Sequence, residues 1–247
     1  MNIQHNNVSS LKFTSRLNPI SSHIVKTSHG KLILREATNS ELKNSNFVEN
    51  VSKLFCSNFA SNTNDPAWKM YNLGSKKIRS QILENFKNFL KDIFKNDDGN
   101  MTLLLAKDKR NKIQGACLSY GYNLVDGSEK YTLYVDSIAV NKMFRGGGLG
   151  RKMLQKTIDA NKKNSTFTDI FLTGEKTAAE FYKKNGFSSL NPLDKNQNKV
   201  IKLIAEDRMD YPNYIQLLSK PLKPEQPRWY DRVAKVIPDD LFLDSTL

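Results

Sequence analysis

The stretch Val135-Asp-Ser-Ile-Ala-Val-Asn-Lys-Met-Phe-Arg-Gly-Gly-Gly-Leu-Gly-Arg-Lys-Met-Leu154 decides the fold of this chain. It begins as an apolar strand, continues through a glycine-rich turn and ends in a helix with apolar residues on one side. Side chains are missing where the backbone turns, so several N–H groups can converge at the positive end of the helix. The stretch therefore predicts a site that holds a phosphate or pyrophosphate.

The spacing of the glycines excludes two familiar phosphate loops. Gly150 is followed by Arg151 and not by Lys and then Ser or Thr, which excludes a P-loop. Arg151 also stands where a dinucleotide-binding loop has its third glycine. The turn instead matches the pattern Arg/Gln-x-x-Gly-x-Gly/Ala, with Arg145, Gly148 and Gly150 at the fixed positions. The alternative is a glycine-rich corner that only lets a helix pack closely on a strand.

A second motif follows one helix and one strand later. The apolar strand Phe167–Thr173 leads into the pattern Ala-x-x-x-Tyr-x-x-x-Gly-Phe, formed by Ala178, Tyr182, Gly186 and Phe187. Physically, this is a short helix closed by a glycine at its C′ position and followed by an apolar strand residue. In this order and at this spacing, the two motifs resemble those of the GCN5-related N-acetyltransferase (GNAT) superfamily.

The resemblance implies an α/β (α+β) fold, in which a mixed, mostly antiparallel sheet of about seven strands is flanked by helices and splayed at the acyl-CoA site. The residue pattern agrees with this order. Lys31–Glu36 is predicted as the first strand, a capping box at Thr38 starts a helix reaching Phe55, and a longer helix runs from Ile78 to Phe94. The next two strands are predicted to form a hairpin, Met101–Ala106 and Ile113–Tyr122.

The two ends of the chain are predicted to lie outside the catalytic domain. Residues 1–30 are rich in serine and contain no acid, which indicates a disordered, basic N-terminal arm. Residues 31–220 form the acyltransferase domain, and residues 221–247 form a proline-punctuated tail that Trp229 and Tyr230 would anchor. The last strand is either Val200–Ile204 or Tyr214–Lys220. The second resembles the family's closing strand better and makes residues 194–211 an insertion.

The reaction implied by the resemblance is direct transfer of an acetyl group from acetyl-CoA to a primary amine, with no metal. Tyr182 takes the position of the general acid that protonates the leaving thiolate. Asp136 is the candidate to accept the ammonium proton through water, or else only binds the amine. Glu175 stands where the family often has an asparagine that contacts the cofactor. The residues expected to bind the cofactor are Ile138, Ala139, Val140, Arg145, Gly146, Gly147, Gly148, Leu149, Gly150 and Arg151.

Acceptor selectivity is expected from the loop after the first helices and from the strand that carries Asp136. Trp68 and Tyr71 are candidates to wall a substrate pocket, and strand alternation places Tyr134 on the same face as Asp136. The alternative role of Trp68 and Tyr71 is to tie a long loop down. A basic chain argues against polyamines and favours a protein amine, an aminoacyl group or an acid-bearing small molecule. The arm and the tail that flank the domain predict a macromolecular target, a protein lysine or N-terminus, with a small-molecule amine as the alternative.

Composition narrows the remaining possibilities. The net charge of +13 makes RNA an alternative anionic partner, although lysine-rich amino-acid usage accounts for it equally well. All three histidines precede residue 30, so the predicted domain has no histidine base. Two cysteines and no membrane-length apolar run favour the cytoplasm. The serine-rich arm leaves open a bacterial effector secreted into a host cell, and a non-catalytic acyl-CoA-binding interaction protein is the rival function.

Overall fold

The computed structural model describes residues 17–59, 74–95, 101–122, 131–163, 166–205 and 215–237. The strands are β1 His23–Thr27, β2 Gly30–Glu36, β3 Met101–Lys107, β4 Ile113–Tyr122, β5 Tyr131–Val140, β6 Phe167–Glu175, β7 Ser188–Ser189 and β8 Ile215–Pro221. The helices are α1 Asn39–Leu42, α2 Ser45–Phe59, α3 Lys76–Lys95, α4 Leu149–Lys162, α5 Lys176–Lys183, α6 Lys195–Ala205 and α7 Trp229–Val236.

The strands form one mixed sheet in the order β1-β2-β3-β4-β5-β6-β8-β7. Strands β5 and β6 are parallel, whereas β1–β2, β2–β3, β3–β4, β6–β8 and β7–β8 are antiparallel pairs. This mixed, mostly antiparallel sheet flanked by helices confirms the predicted fold class. The described residues fall into two compact units, the first within residues 17–120 and 135–163 and the second within residues 121–134 and 164–237, so the division crosses both β4 and β5.

The first unit is a sheet covered by helices on both faces. Helices α2 and α3 pack on one face through an apolar cluster that includes Val51, Phe55 and Leu90. Helix α4 packs on the other face, where a Cβ added at Gly115 of β4 would lie 2.9 Å from Met153 Sδ and 3.3 Å from Ala106 Cβ. The missing side chain at Gly115 therefore lets the helix after the glycine loop approach the sheet closely.

The predicted capping box is present, but the helix behind it is broken. Thr38 accepts a hydrogen bond from Glu41 N, and Glu41 Oε2 accepts one from Thr38 N. Helix α1 nevertheless ends at Leu42, because Asn44 Oδ1 accepts a hydrogen bond from Phe47 N and so caps a second helix. The single helix expected up to Phe55 is therefore wrong and is replaced by α1 and α2.

The second unit is built around β6, which lies between two helices. Leu172 and Gly174 face α5, since a Cβ at Gly174 would lie 3.2 Å from Tyr182 Cε2. Phe171 faces α7, where its ring lies 4.6 Å from that of Trp229. Trp229 is fully buried, which agrees with the anchoring role expected for it.

One expectation about the ends of the domain is wrong, and the structure decides between the two alternatives for the last strand. Strand β1 lies within the segment assigned to a disordered arm; it buries only Val25, while Ile24 stays 62% exposed, so it has little hydrophobic signal. Residues Val200–Ile204 lie in helix α6 and not in a strand, because a short apolar run does not distinguish the two. The alternative, β8, is the strand that pairs with β6. The first 16 residues lie outside the described part of the chain.

Glu41 joins α1 to the sheet, and its removal should destabilise the fold. Its carboxylate accepts hydrogen bonds from Arg35 and from Lys107, whose side chain is only 6% exposed. The hydrogen bond from Arg35, with a further contribution from Lys107, holds the pKa of Glu41 well below its usual range against the opposing effect of burial. Because the folded pKa is lowered, the stabilisation is complete above the unfolded pKa and is lost as the pH falls below it.

We expect Glu41→Gln to lower the free energy of unfolding by roughly 2 kcal/mol at pH 7. The difference from wild type should persist down to about pH 4.3 and shrink below it. Denaturant unfolding at several pH values measures this. Glu49→Gln is the control, since Glu49 forms only an exposed i,i+4 pair with Lys53 and should match the wild type. A difference that does not depend on pH would contradict the ion-pair explanation.

Candidate functional site

The glycine loop continues directly from β5. Asn141 Oδ1 accepts a hydrogen bond from Met143 N and starts a short 3-10 turn, in which Phe144 is buried. Gly146 and Gly148 then have φ angles of 79° and 76°. This left-handed backbone is strained for other residues, so the glycines permit the turn that leads into α4.

The loop presents a row of backbone donors. Within the described residues, the amides from Gly146 to Arg151 have no hydrogen-bond acceptor, and the first helical bond of α4 runs from Lys152 N to Gly148 O. A Cβ built at Gly146 or Gly148 would meet no atom within 4 Å. Open space, free amides and a helix N-terminus together fit a phosphate or pyrophosphate group.

Arg145 fastens this loop to the rest of the first unit. Its Nε donates to Val140 O at 3.1 Å and its Nη2 donates to Asn58 Oδ1 at 2.7 Å. The same Asn58 oxygen accepts a hydrogen bond from Val140 N at 3.3 Å. We expected Arg145 to add charge to a pyrophosphate site and Val140 to offer free backbone groups. In the structure these groups bind one another through Asn58, a residue that no sequence signal identified.

One edge of β5, the strand before the loop, has no strand partner beyond Tyr134 among the described residues. The pairing of β5 with β6 ends at Tyr134↔Phe171, although both strands continue. Asn141 N donates to Gln114 O of β4. Because N–H groups alternate along a strand, the amide of Ile138 points to the opposite, unpaired edge. Of the residues expected to bind the cofactor, Ile138 thus has its amide on this edge, whereas Ala139 and Leu149 have buried side chains that serve packing.

Asp136 lies on this part of β5 and is held by two hydroxyl groups. Ser137 Oγ donates to Asp136 Oδ2 at 2.7 Å, and Tyr120 Oη donates to Asp136 Oδ1 at 3.4 Å. The side chain is half-buried. These two hydroxyl groups therefore fix the orientation of the Asp136 carboxylate.

Tyr182 lies on α5 with its ring against β6. The ring contacts Gly174, and it makes edge-on contacts with Phe181 and Phe187 at 5.0 and 5.9 Å between centroids. Phe187 N donates to Tyr182 O and Gly186 N donates to Lys183 O, and Gly186 has a φ of 83°. This is the helix ending predicted from the second motif. The half-buried ring is fixed on the side that faces β6.

The predicted acceptor residues do not form a described pocket. Trp68 and Tyr71 lie outside the described residues. Tyr134 is only 6% exposed, its hydroxyl lies 3.1 Å from Thr173 Oγ1, and its ring lies 4.8 Å from that of Phe171. Tyr134 therefore packs β5 against β6 and has little surface left for a substrate.

Neither cysteine is suited to nucleophilic catalysis. Burial raises the pKa of the Cys117 thiol to about 12 and that of the Cys56 thiol to about 11. Cys117 is fully buried and its sulfur lies 3.8 Å from Thr157 Oγ1. Since these are the only two cysteines of the chain, an acyl-cysteine intermediate has no candidate nucleophile.

Other features of the first unit were not expected. A cavity of about 890 Å³ lies between α1, α2 and the β3–β4 turn, and its lining includes Glu41, Lys53, Lys107 and Lys112. The ring of His29, expected in the disordered arm, makes an edge-on contact with Phe144 at 5.5 Å, next to the glycine loop.

Among the described residues, no three His, Cys, Asp or Glu side chains form a metal-binding group, and no helix is long and apolar enough to cross a membrane.

We expect Gly148→Val to abolish measurable binding of acetyl-CoA. The valine would be strained at a φ of 76°, and its methyl groups would fill the space above the free amides. Calorimetric titration measures the affinity. Asn111→Val is the control, since it places the same residue at a φ of 59° in the β3–β4 turn; it should lower the melting temperature and leave the affinity intact. Wild-type affinity in the Gly148 variant would rule out a phosphate site at this loop.

Comparison with known proteins agrees with this geometry. Residues 99–189 match the family model of the acetyltransferase (GNAT) domain. The PaiA N-acetyltransferase from Thermoplasma acidophilum, solved in complex with coenzyme A, has a TM-score of 0.50 at 14% identity, covering 77% of this chain and 98% of that one. A GNAT-family acetyltransferase from Staphylococcus aureus Mu50 has a TM-score of 0.47 at 17% identity, with 78% and 99% covered. No curated protein sequence matches the chain. The chain thus adopts the GNAT fold, and residues 99–189 match the model of the GNAT acetyltransferase domain.

Proposed function

We propose that this protein is an N-acetyltransferase that transfers the acetyl group of acetyl-CoA to a primary amine. The observation that carries the proposal is the run of six amides without an acceptor from Gly146 to Arg151, directly after a strand with a free edge. Phosphates bind to the first feature and an extended amide-containing chain pairs with the second. The PaiA N-acetyltransferase, which shares the fold, was solved with coenzyme A bound.

Different groups among the described residues bind different parts of acetyl-CoA. The amides from Gly146 to Arg151 bind the pyrophosphate, and the exposed Arg151 adds positive charge. Arg145 contributes by holding the loop against Val140 and Asn58. The free edge of β5 pairs with pantetheine, and the amide of Ile138 donates to the thioester oxygen, where negative charge develops during attack.

In the chemical step, the amine nitrogen attacks the thioester carbon, the carbon–sulfur bond breaks, and an amide and a thiolate form. Tyr182 donates its phenolic proton to the thiolate. Asp136 accepts the ammonium proton through water, or else binds the amine before it loses that proton. The raised pKa values of Cys56 and Cys117 support direct transfer without an acyl-enzyme.

For the acceptor we favour a protein lysine or N-terminus over a small-molecule amine. The net charge of +13 repels polyamines and attracts an acidic protein surface. RNA is the other anionic partner that this charge would attract.

Release of free CoA tests the activity. The protein is incubated with acetyl-CoA and a panel of amines that includes lysine-containing peptides, and the thiol produced is measured. We expect CoA release that depends on the amine. Tight binding of acetyl-CoA without release for any acceptor would favour the rival function, a non-catalytic acyl-CoA-binding interaction protein.

Incubation with labelled acetyl-CoA and whole-cell lysate identifies the class of acceptor. We expect the label in protein and expect it to resist hydroxylamine, as an amide does. Label confined to the small-molecule fraction would overturn the proposal of a protein acceptor, and label in RNA would point to the other anionic partner.

We expect Tyr182→Phe to reduce turnover by roughly 10²–10⁴-fold and to leave acetyl-CoA affinity nearly unchanged, because the ring remains packed on Gly174 and only the proton donor is lost. Steady-state kinetics and calorimetry separate the two effects. Tyr230→Phe removes a hydroxyl from a half-buried tyrosine outside the motif and should match the wild type. An unchanged rate for Tyr182→Phe would mean that another group or water protonates the thiolate.

A further inference from the structure

We propose that helix α7, which lies after the closing strand and outside both sequence motifs, sets the point at which β5 and β6 stop pairing. It acts through a stack of three aromatic side chains, Trp229, Phe171 and Tyr134, which we call the aromatic clamp. The inference rests on the proposed function in one respect: the free edge of β5 that begins after Tyr134 is where acetyl-CoA would pair. The contacts within the aromatic clamp do not depend on any bound ligand.

The aromatic clamp ends at the last paired residues of the two strands. The Trp229 and Phe171 rings are stacked, with centroids 4.6 Å apart and planes 29° apart. The Phe171 and Tyr134 rings are 4.8 Å apart. Tyr134↔Phe171 is also the final pair in the β5–β6 register. The three side chains are 0–6% exposed, so the strand pairing ends inside a packed aromatic cluster.

A hydrogen bond across the strands reinforces this position. Tyr134 Oη lies 3.1 Å from Thr173 Oγ1, two residues beyond Phe171 on the same face of β6. The β5–β6 register contains no pair past Tyr134. At this position the two strands are therefore held together by side-chain packing and by the hydroxyl contact, and no longer by backbone hydrogen bonds. Cross-strand side-chain pairs of this kind stabilise a sheet locally.

Trp229 is fixed by a buried carboxylate on β6. Asp169 is 1% exposed and accepts hydrogen bonds from Arg228 Nε at 2.6 Å, from Trp229 N at 3.2 Å and from Thr168 Oγ1 at 2.9 Å. Asp169 thus pairs with a charged partner and also receives the first amide of α7. Removing one partner of such a buried pair leaves an uncompensated charge, so the start of α7 is held firmly on the strand that carries Phe171.

Ser219 of β8 fixes the indole ring from a second direction. Its Oγ accepts hydrogen bonds from Trp229 Nε1 at 2.9 Å and from Arg228 Nη2 at 3.0 Å, and it donates to Ile170 O at 3.3 Å. Ser219 is also the register partner of Phe171. Ser219 on β8 therefore orients the indole ring of Trp229 against Phe171, while Asp169 on β6 holds the backbone of Trp229.

The test compares Trp229→Leu, which removes the aromatic stack, with Trp229→Phe, which keeps a ring against Phe171. Hydrogen exchange of the amides of Tyr131–Tyr134 reports on the end of the β5–β6 ladder without any ligand. Calorimetry then measures two affinities for each variant. One is for acetyl-CoA, which would use both the loop and the free edge, and the other is for adenosine 3′,5′-diphosphate, which would use the loop alone.

We expect Trp229→Leu to exchange these amides roughly tenfold faster than the wild type, and to bind acetyl-CoA roughly tenfold more weakly, with an unchanged affinity for adenosine 3′,5′-diphosphate. Trp229→Phe should lie near the wild type in all three measurements. Should Trp229→Leu fail to fold, Ser219→Ala, which removes the acceptor of the indole N–H together with the contacts of Ser219 to Arg228 and Ile170, should give the same pattern at smaller amplitude.

Three results would overturn the inference. They are unchanged exchange at Tyr131–Tyr134 in the folded variants, an equal loss of both affinities, or equal effects of the leucine and phenylalanine substitutions. A wild-type protein that does not bind acetyl-CoA, combined with the expected exchange pattern, would instead reject the proposed function and leave the aromatic clamp supported.

Discussion

The constraint behind this structure is a set of backbone amides that the fold leaves without an acceptor. Buried N–H groups are nearly always paired, and an unpaired one costs about 1–3 kcal/mol when it is shielded from water. Here six successive amides from Gly146 to Arg151 have no acceptor among the described residues, and the strand before them pairs with β6 only as far as Tyr134. Such a region is stable only if it is open to solvent or ligand, and so the rest of the domain must hold it open.

The surrounding contacts show how this is achieved. Gly115 lets α4 approach the sheet, and the buried Leu149 anchors the first turn of that helix, so the loop cannot collapse onto the strand. Arg145 and Asn58 occupy the backbone groups of Val140 that would otherwise extend the free edge. The loop residues with positive φ angles, Gly146 and Gly148, have no Cβ, so the turn is not strained. These contacts thus fix the shape of the loop, although its own amides have no hydrogen-bond acceptor among the described residues.

How far the sequence predicts this arrangement depends on whether the relevant contacts are local. The glycine turn, the Tyr182 helix with its Gly186 ending and the capping box at Thr38 are local patterns, and each was predicted. Asn58 gave no signal, because its partners Val140 and Arg145 are more than 80 residues away and one of them is a backbone group. The Asp169 network was missed for the same reason, since a buried carboxylate is recognised only once Arg228 is seen beside it. The spacing of residue types in a sequence indicates strands, helices and turns, whereas hydrogen bonds between residues far apart in the sequence can be recognised only in the folded structure.

The side chains near the site also restrict the chemistry. Both thiols have raised pKa values, which removes the residues best suited to carry an acyl group. His29 lies beside Phe144, at the loop end of the first unit, and not along the free edge of β5. Asp136 lies on β5, and Ser137 and Tyr120 orient its carboxylate through their hydroxyls. Neither thiol is suited to accept an acyl group, so the reaction we propose is a direct displacement, for which the described residues of the first unit would supply oriented amides and a held carboxylate.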